Sequence, residues 1–134
     1  KALALFFKKL GSIVEIVNVD FHDRILAITS HLPNLIAYII VGTASDLESD
    51  LKNDVIKYSV SGFRDFTRIA SSDPIMWRDI FVNNSEAVLE MLQRFNEDLS
   101  DLQKAIRKKD GEKLHSFFSR TKSIRERIID AGQN

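Results

Sequence analysis

Few side chains in this sequence could do chemistry: three histidines, an arginine among apolar residues, a polar cluster beside a proline, and one tryptophan. His22 and His31 lie nine residues apart. On a helix that is two and a half turns, so the two rings do not share a face, and a two-histidine metal site needs i, i+3 or i, i+4 spacing. His22-Asp23 and Ser30-His31 contain parts of a nucleophilic triad, but adjacent helical residues point in different directions. His115 flanks an apolar stripe and reads as a surface or dimer-contact residue. Ser30, His31, Pro33 and Asn34 fall together just before a strongly apolar stretch. Buried polar groups need partners. Those partners are either structural, with Ser30 bonding carbonyls freed by Pro33, or a ligand.

Arg68 stands between Phe66-Thr67 and Ile69-Ala70, close after Arg64 and Asp65. An arginine in apolar surroundings is either paired or waiting for an anion. Its planar fork suits a carboxylate, while Asp65 at i−3 offers a plain intrahelical pair. Trp77, at helical spacing after Pro74, reads as core. Cysteine is absent, which excludes disulfides and thiolate metal sites; no metal is expected. Neither G-x-G-x-x-G nor a Walker loop occurs, so no dinucleotide fingerprint is present.

The elements that must carry these residues are mostly helical. Leu3, Phe6, Phe7 and Leu10 form an i, i+3, i+4, i+7 stripe closed by Gly11. Residues 13–19 are short and β-branched and predict a strand, with a linker or helix as the alternative. No second strand follows, so residues 1–19 read as the last helix–strand unit of a sheet whose other strands lie elsewhere. A long helix is expected from Asp20 to about Ser45, kinked at Pro33. A shorter one is expected over 46–60 with Leu47, Leu51, Val55 and Ile56, broken by Gly62. Ser72-Asp73-Pro74 reads as a helix start, and Asn83, Asn84 or Ser85 starts the next. Val88, Leu92, Phe95, Leu99, Leu102 and Ile106 make a heptad seam, and Leu114, Phe117, Thr121, Ile124 and Ile128 continue it after an Asp110-Gly111 turn. The short turn predicts antiparallel neighbours. The expectation is an all-α bundle over 20–134. Its core and a homodimer interface would come from the 85–129 hairpin and the apolar half of helix 20–45.

Charge narrows the partners. Lys+Arg and Asp+Glu are 19 each, so the formal net charge is zero. That disfavours a general polyanion binder. Residues 104–127 carry nine cationic side chains against three acidic ones, which reads as a solvated helical face; no nucleic acid is expected. The longest apolar run, Leu35–Val41, is far short of the roughly 20 residues that span a bilayer. No membrane partner is expected, no signal peptide is visible, and a soluble, cytoplasmic protein is the default. The chain starts with Lys1 and reads as a piece of something longer.

Two stretches carry a resemblance. His22-Asp-Arg-Ile-Leu-Ala-Ile-Thr-Ser-His-Leu-Pro-Asn34 resembles the HDxxxAxxSHLPH signature of prephenate and arogenate dehydrogenases. Gly62-Phe-Arg-Asp-Phe-Thr-Arg-Ile-Ala-Ser-Ser-Asp-Pro-Ile-Met-Trp-Arg-Asp-Ile-Phe81 is similar to that family's GFxDFTRIAxSDPxMWRDIF stretch. The end, from Arg127 to Gln133, is similar too. The resemblance implies an all-helical C-terminal domain of the 6-phosphogluconate-dehydrogenase-like type, which completes the substrate site and forms the homodimer. It also implies a Rossmann domain upstream, binding NAD or NADP, which suits the orphan strand. The family reaction, in tyrosine biosynthesis, oxidises and decarboxylates prephenate or arogenate to hydroxyphenylpyruvate or tyrosine. Its proton-accepting histidine belongs to the upstream domain. No histidine here takes that role, and this stretch alone is expected to be inactive.

By the same resemblance, Arg68 clamps a substrate carboxylate with Asp65 holding it. Ser30, His31, Asn34 and Gly62 bind substrate, and His22, Asp23 and Trp77 support the site. The family's first motif usually ends in His, where this chain has Asn34. An amide is neutral and both donates and accepts, which tilts the expectation towards an arogenate or dual-specificity (cyclohexadienyl) enzyme. The rival reading is a non-catalytic helical dimerisation module that has kept the fold.

Overall fold

The structure is a computed structural model that describes residues 2–46, 54, 57–58 and 60–130. The chain divides into two compact units, Lys1–Met91 and Leu92–Asn134.

In the first unit, helix α1 (Ala2–Lys9) ends as its sequence predicts. Gly11 takes φ +84° and its N–H reaches the Lys8 carbonyl at 3.0 Å, the left-handed termination that glycine allows at least strain. The predicted strand over 13–19 does not form. Residues 12–18 are neither helix nor strand, and Ile13 and Ile16 remain 93% and 88% exposed. β-Branched composition only makes a segment suited to a pleated surface. With no strand among the described residues there is no edge for it to pair with. Val19, the last residue of the expected strand, instead opens α2 (Val19–Leu26), capped by Asn18 Oδ1, which accepts from the Asp20 N–H at 2.8 Å.

From Val19 to Ser45 the chain is one helical run: α2, a π turn (Ala27–His31) and α3 (Leu32–Ser45). Pro33 explains the π turn. It has no N–H, and its ring would strike the Thr29 carbonyl in a regular helix. Widening the turn before it makes room; the Leu32 N–H reaches back five residues to the Ala27 carbonyl. Thr29 Oγ1 donates to the Ile25 carbonyl at 2.7 Å and Asn34 Nδ2 to the Ser30 carbonyl at 3.1 Å. The Ser30 hydroxyl, expected to bond the carbonyls freed by Pro33, makes no hydrogen bond among the described residues. This run is long and apolar enough to cross a membrane by length and composition. Its polar side chains nonetheless bond to distant protein groups: Arg24 to Glu90, Tyr38 to Ser72 and His31 to Asn84.

Most of the helix expected over 46–60, including Leu47, Leu51, Val55 and Ile56, lies outside the described residues; Asp54 and Lys57 within it are helical. Helix α4 (Ser61–Thr67) follows, then a 3-10 turn (Arg68–Ser71) and α5 (Pro74–Asn83). Gly62 sits inside α4 and does not break a helix. Asp73 Oδ1 accepts from the Ile75 N–H at 2.8 Å and Pro74 is the first helical residue, as the Ser-Asp-Pro run predicts. α3 packs on both α4 and the 3-10 turn. The core of this unit is Ala27, His31, Leu32, Ala37, Trp77 and Val88.

Helix α6 (Ser85–Arg107) and helix α7 (Gly111–Asp130) complete the described chain. In the second unit the turn between them differs from expectation. The left-handed residue is Lys109 (φ 55°), not Gly111. Gly111 is already helical, and Asp110 Oδ1 caps α7 by accepting from the Lys113 N–H at 3.0 Å. The seam also differs. Ala105 is buried, whereas Leu99 and Ile106 are 53% and 64% exposed and line an apolar groove of about 510 Å³ with Leu102.

Candidate functional site

His31 ends the π turn and is buried, 7% exposed. Two aromatic residues one turn apart on α5 close over it. The Trp77 and Phe81 rings stand edge-on to the imidazole at centroid distances of 6.1 and 6.3 Å. Asn84, at the C-terminal cap of α5, completes the enclosure. Its Nδ2 donates to the Asp23 carbonyl at 2.9 Å and lies 3.2 Å from His31 Nδ1. One amide therefore ties the end of α5 to α2 and to the π turn. On α2, His22 Nδ1 meets Asp23 Oδ1 at 2.9 Å, both side chains well exposed. Burial lowers the His31 pKa, partly opposed by the Asp23 carboxylate and reinforced by His22.

Of the residues predicted for the site, this corner gathers His22, Asp23, His31 and Trp77. Asn34 joins Ser30 through the bond already given. Among the described residues, two buried side-chain polar atoms have no hydrogen-bond partner, Asn34 Oδ1 and Trp77 Nε1. One is an acceptor and the other a donor, the pair of functions a polar ligand would satisfy. Trp77 is core, as its spacing suggests.

Arg68 belongs to a second region. It opens the 3-10 turn, is exposed, and its guanidinium has no hydrogen bond or ion pair among the described residues. The apolar neighbours in sequence do not bury it. Asp65 is also exposed and makes no bond to Arg68, so the holding role expected of it is absent here. At i and i+3 the pair straddles the change from α-helix to 3-10 turn. Other bonds hold the turn. Ser71 Oγ donates to the Arg68 carbonyl at 2.8 Å, Ser72 Oγ to the Ile69 carbonyl at 2.7 Å, and Tyr38 of α3 to the Ser72 carbonyl at 2.8 Å. Gly62 is exposed, and a Cβ placed on it would meet nothing within 4 Å.

Sequence reasoning missed Asn84 and Tyr38. Asn84 figured only as one of three candidate helix starts. The available signal was an asparagine in a one-residue break between helices, where a short amide is free to reach backbone elsewhere. Among the described residues, no group of three His, Asp or Glu side chains could hold a metal. Nor is there a cradle for a dinucleotide: the described residues include no strand, and no described glycine is needed for a close backbone approach.

The comparisons with known proteins agree with one another. The model of the family described as prephenate dehydrogenase, dimerization domain, matches residues 18–120. The cyclohexadienyl dehydrogenase of Zymomonas mobilis is 37% identical over 92% of this chain and 42% of its own length. The prephenate dehydrogenase of Bacillus subtilis is 32% identical over 78% of this chain and 28% of its own. Among solved structures, the prephenate dehydrogenase of A. aeolicus, in complex with hydroxyphenyl propionate and NAD+, aligns with TM-score 0.79 and 38% identity over 87% of this chain and 40% of that one. A Synechocystis arogenate dehydrogenase shares the fold, with TM-score 0.85 at 23% identity over 95% of this chain and 46% of that one. The chain spans less than half the length of each of these relatives.

Proposed function

The chain belongs to the prephenate dehydrogenase family through its dimerization domain, and from that premise we propose that it is the substrate-binding and dimer-forming part of an enzyme that oxidises and decarboxylates prephenate or arogenate. The observation that carries this reading is Arg68. Its guanidinium has no partner among the described residues, while the turn beneath it is held by three hydrogen bonds. A fixed backbone under an unpaired fork is the arrangement that grips a carboxylate at small entropic cost. The work of these residues is then binding and orienting: Arg68 on a carboxylate, with His31, Ser30, Asn34 and Gly62 on the remainder of the ring substrate, supported by His22, Asp23 and Trp77.

The nicotinamide cofactor, NAD or NADP, would be held mainly outside the described residues, since these hold no cradle for it. In this reading residues 1–19 end the cofactor domain and 20–134 form the helical domain. The exposed apolar side chains of α6 and α7, Leu99, Ile106, Phe118 and Ile128 among them, support a homodimer. A cytoplasmic enzyme without membrane or nucleic-acid partners completes the reading. Asn34 bears on substrate choice. Its buried Oδ1 has no donor among the described residues; the ammonium of arogenate can supply one, whereas the keto side chain of prephenate brings only acceptors. The reading therefore favours an arogenate or dual-specificity enzyme.

The test is nicotinamide reduction by the full-length protein, with prephenate and arogenate supplied separately, each with NAD and with NADP. Turnover that Arg68→Ala abolishes without unfolding the dimer is the expected result. A folded dimer that turns over neither substrate would instead make the chain a dimerisation module that has kept the fold.

A further inference from the structure

His31 has two ring nitrogens, and its surroundings settle which carries the proton. The Asp23 carbonyl can only accept a hydrogen bond, so the Asn84 side-chain atom 2.9 Å from it is the amide nitrogen, Nδ2. That same nitrogen lies 3.2 Å from His31 Nδ1. Its two hydrogens serve the two acceptors, and Nδ1 must therefore be bare. The neutral ring then carries its proton on Nε2, which takes no partner among the described residues. Protonating Nδ1 would set N–H against N–H and break the bond to Asn84. The charged groups acting on the ring are Asp23, itself engaged by His22, and His22, both on α2; α5 presents only Trp77 and Phe81 to it.

We propose that Asn84 is a positioning residue of the site: it holds the buried His31 ring neutral with the proton on Nε2, so that His31 meets substrate as a hydrogen-bond donor and never as a base. The substrate half of this statement rests on the function proposed above; the tautomer does not. An aspartate at 84 would invert the arrangement, since a carboxylate calls for a proton on Nδ1 and favours the imidazolium.

The test uses the full-length protein with its histidine nitrogens labelled with the heavy isotope. Long-range proton–nitrogen correlation is followed as pH falls from about 8 to about 5, the range in which an ordinary histidine titrates. The expected wild-type result at pH about 8 is a bare Nδ1 and a protonated Nε2, with Nδ1 taking up its proton only at lower pH than an ordinary histidine. A protonated Nδ1 at pH about 8 in the wild type overturns the proposal whether or not any variant folds. In Asn84→Asp the proton is expected to move to Nδ1, with His31 titrating at higher pH than in the wild type. KM for the ring substrate should rise about tenfold, the loss of one hydrogen bond, and kcat should change much less. A folded Asn84→Asp with an unchanged tautomer removes the role of Asn84. A changed tautomer with unchanged KM removes the donor role of His31. Absence of turnover in the wild type would count against the proposed function alone, and the tautomer would still be decided by the spectrum.

Discussion

At the π-turn corner an imidazole is enclosed by Trp77, Phe81 and Asn84; at the 3-10 turn an exposed guanidinium has no partner among the described residues. Their chemistry explains the contrast. Imidazole can be neutral, so one good hydrogen bond makes its burial tolerable. Guanidinium stays charged, and burying it without a counter-charge would cost several kcal/mol. The chain accordingly fixes the His31 ring itself, but fixes only the backbone beneath Arg68. The first group is set before any ligand arrives, and the second keeps its full charge for one.

The sharpest way to break this comparison is Arg68→Ala. Losing a two-pronged, charge-assisted contact should lower kcat/KM of the full-length enzyme by a hundredfold to a thousandfold, about 3–4 kcal/mol. Because Arg68 is exposed and has no partner among the described residues, unfolding stability should stay within about 0.5 kcal/mol of wild type. A large stability loss would show that the guanidinium does structural work.

The His31 corner should show the opposite signature, in stability against pH. Burial lowers its folded-state pKa below 6.5. As pH falls past 6.5, the unfolded chain takes up this proton before the folded chain does. The stability His31 contributes is therefore complete above that pH and lost as pH falls towards the folded-state value. Urea midpoints measured on both sides of 6.5 should fall more steeply for wild type than for His31→Gln; parallel curves would refute the buried neutral ring.

Tyr38→Phe probes the backbone beneath Arg68 without touching its charge. Removing the bond to the Ser72 carbonyl should cost about 1 kcal/mol and raise KM by a small factor, leaving the pH slope of the His31 corner unchanged. An unaltered KM would mean that Arg68 does not depend on its turn. The smallest effect is expected at Lys109, outside both regions. Lys109→Gly should stabilise by up to about 1 kcal/mol by relieving a left-handed backbone, partly offset by the greater freedom of glycine in the unfolded chain; thermal unfolding would show it.

The locally governed features were legible in the residues. Gly11 ends α1, Asp73-Pro74 starts α5, and Pro33 marks an irregular turn. The two motifs are long enough to point to the family that the comparisons then showed. What misled was composition read without neighbours. The segment 13–19 has a strand's residues and no strand to join. Ile106 continues an ideal heptad, yet Ala105 is the residue that is buried. Asp110-Gly111 looks like the turn itself, but a carboxylate that caps a helix serves as well at the start of α7, which moves the left-handed residue back to Lys109.

By itself the sequence determined the helices, their caps and the place where the long helix must widen, because each depends on residues within a turn or so of one another. Which ring nitrogen of His31 carries the proton, and that Arg68 stands free of Asp65, only the tertiary structure decided. The first depends on a carbonyl at Asp23 and an amide at Asn84 that are 61 residues apart in the chain, and the second on where the two side chains fall as α4 gives way to the 3-10 turn. For the first, no spacing rule reaches across such a gap, because what brings those atoms together is the packing of whole helices.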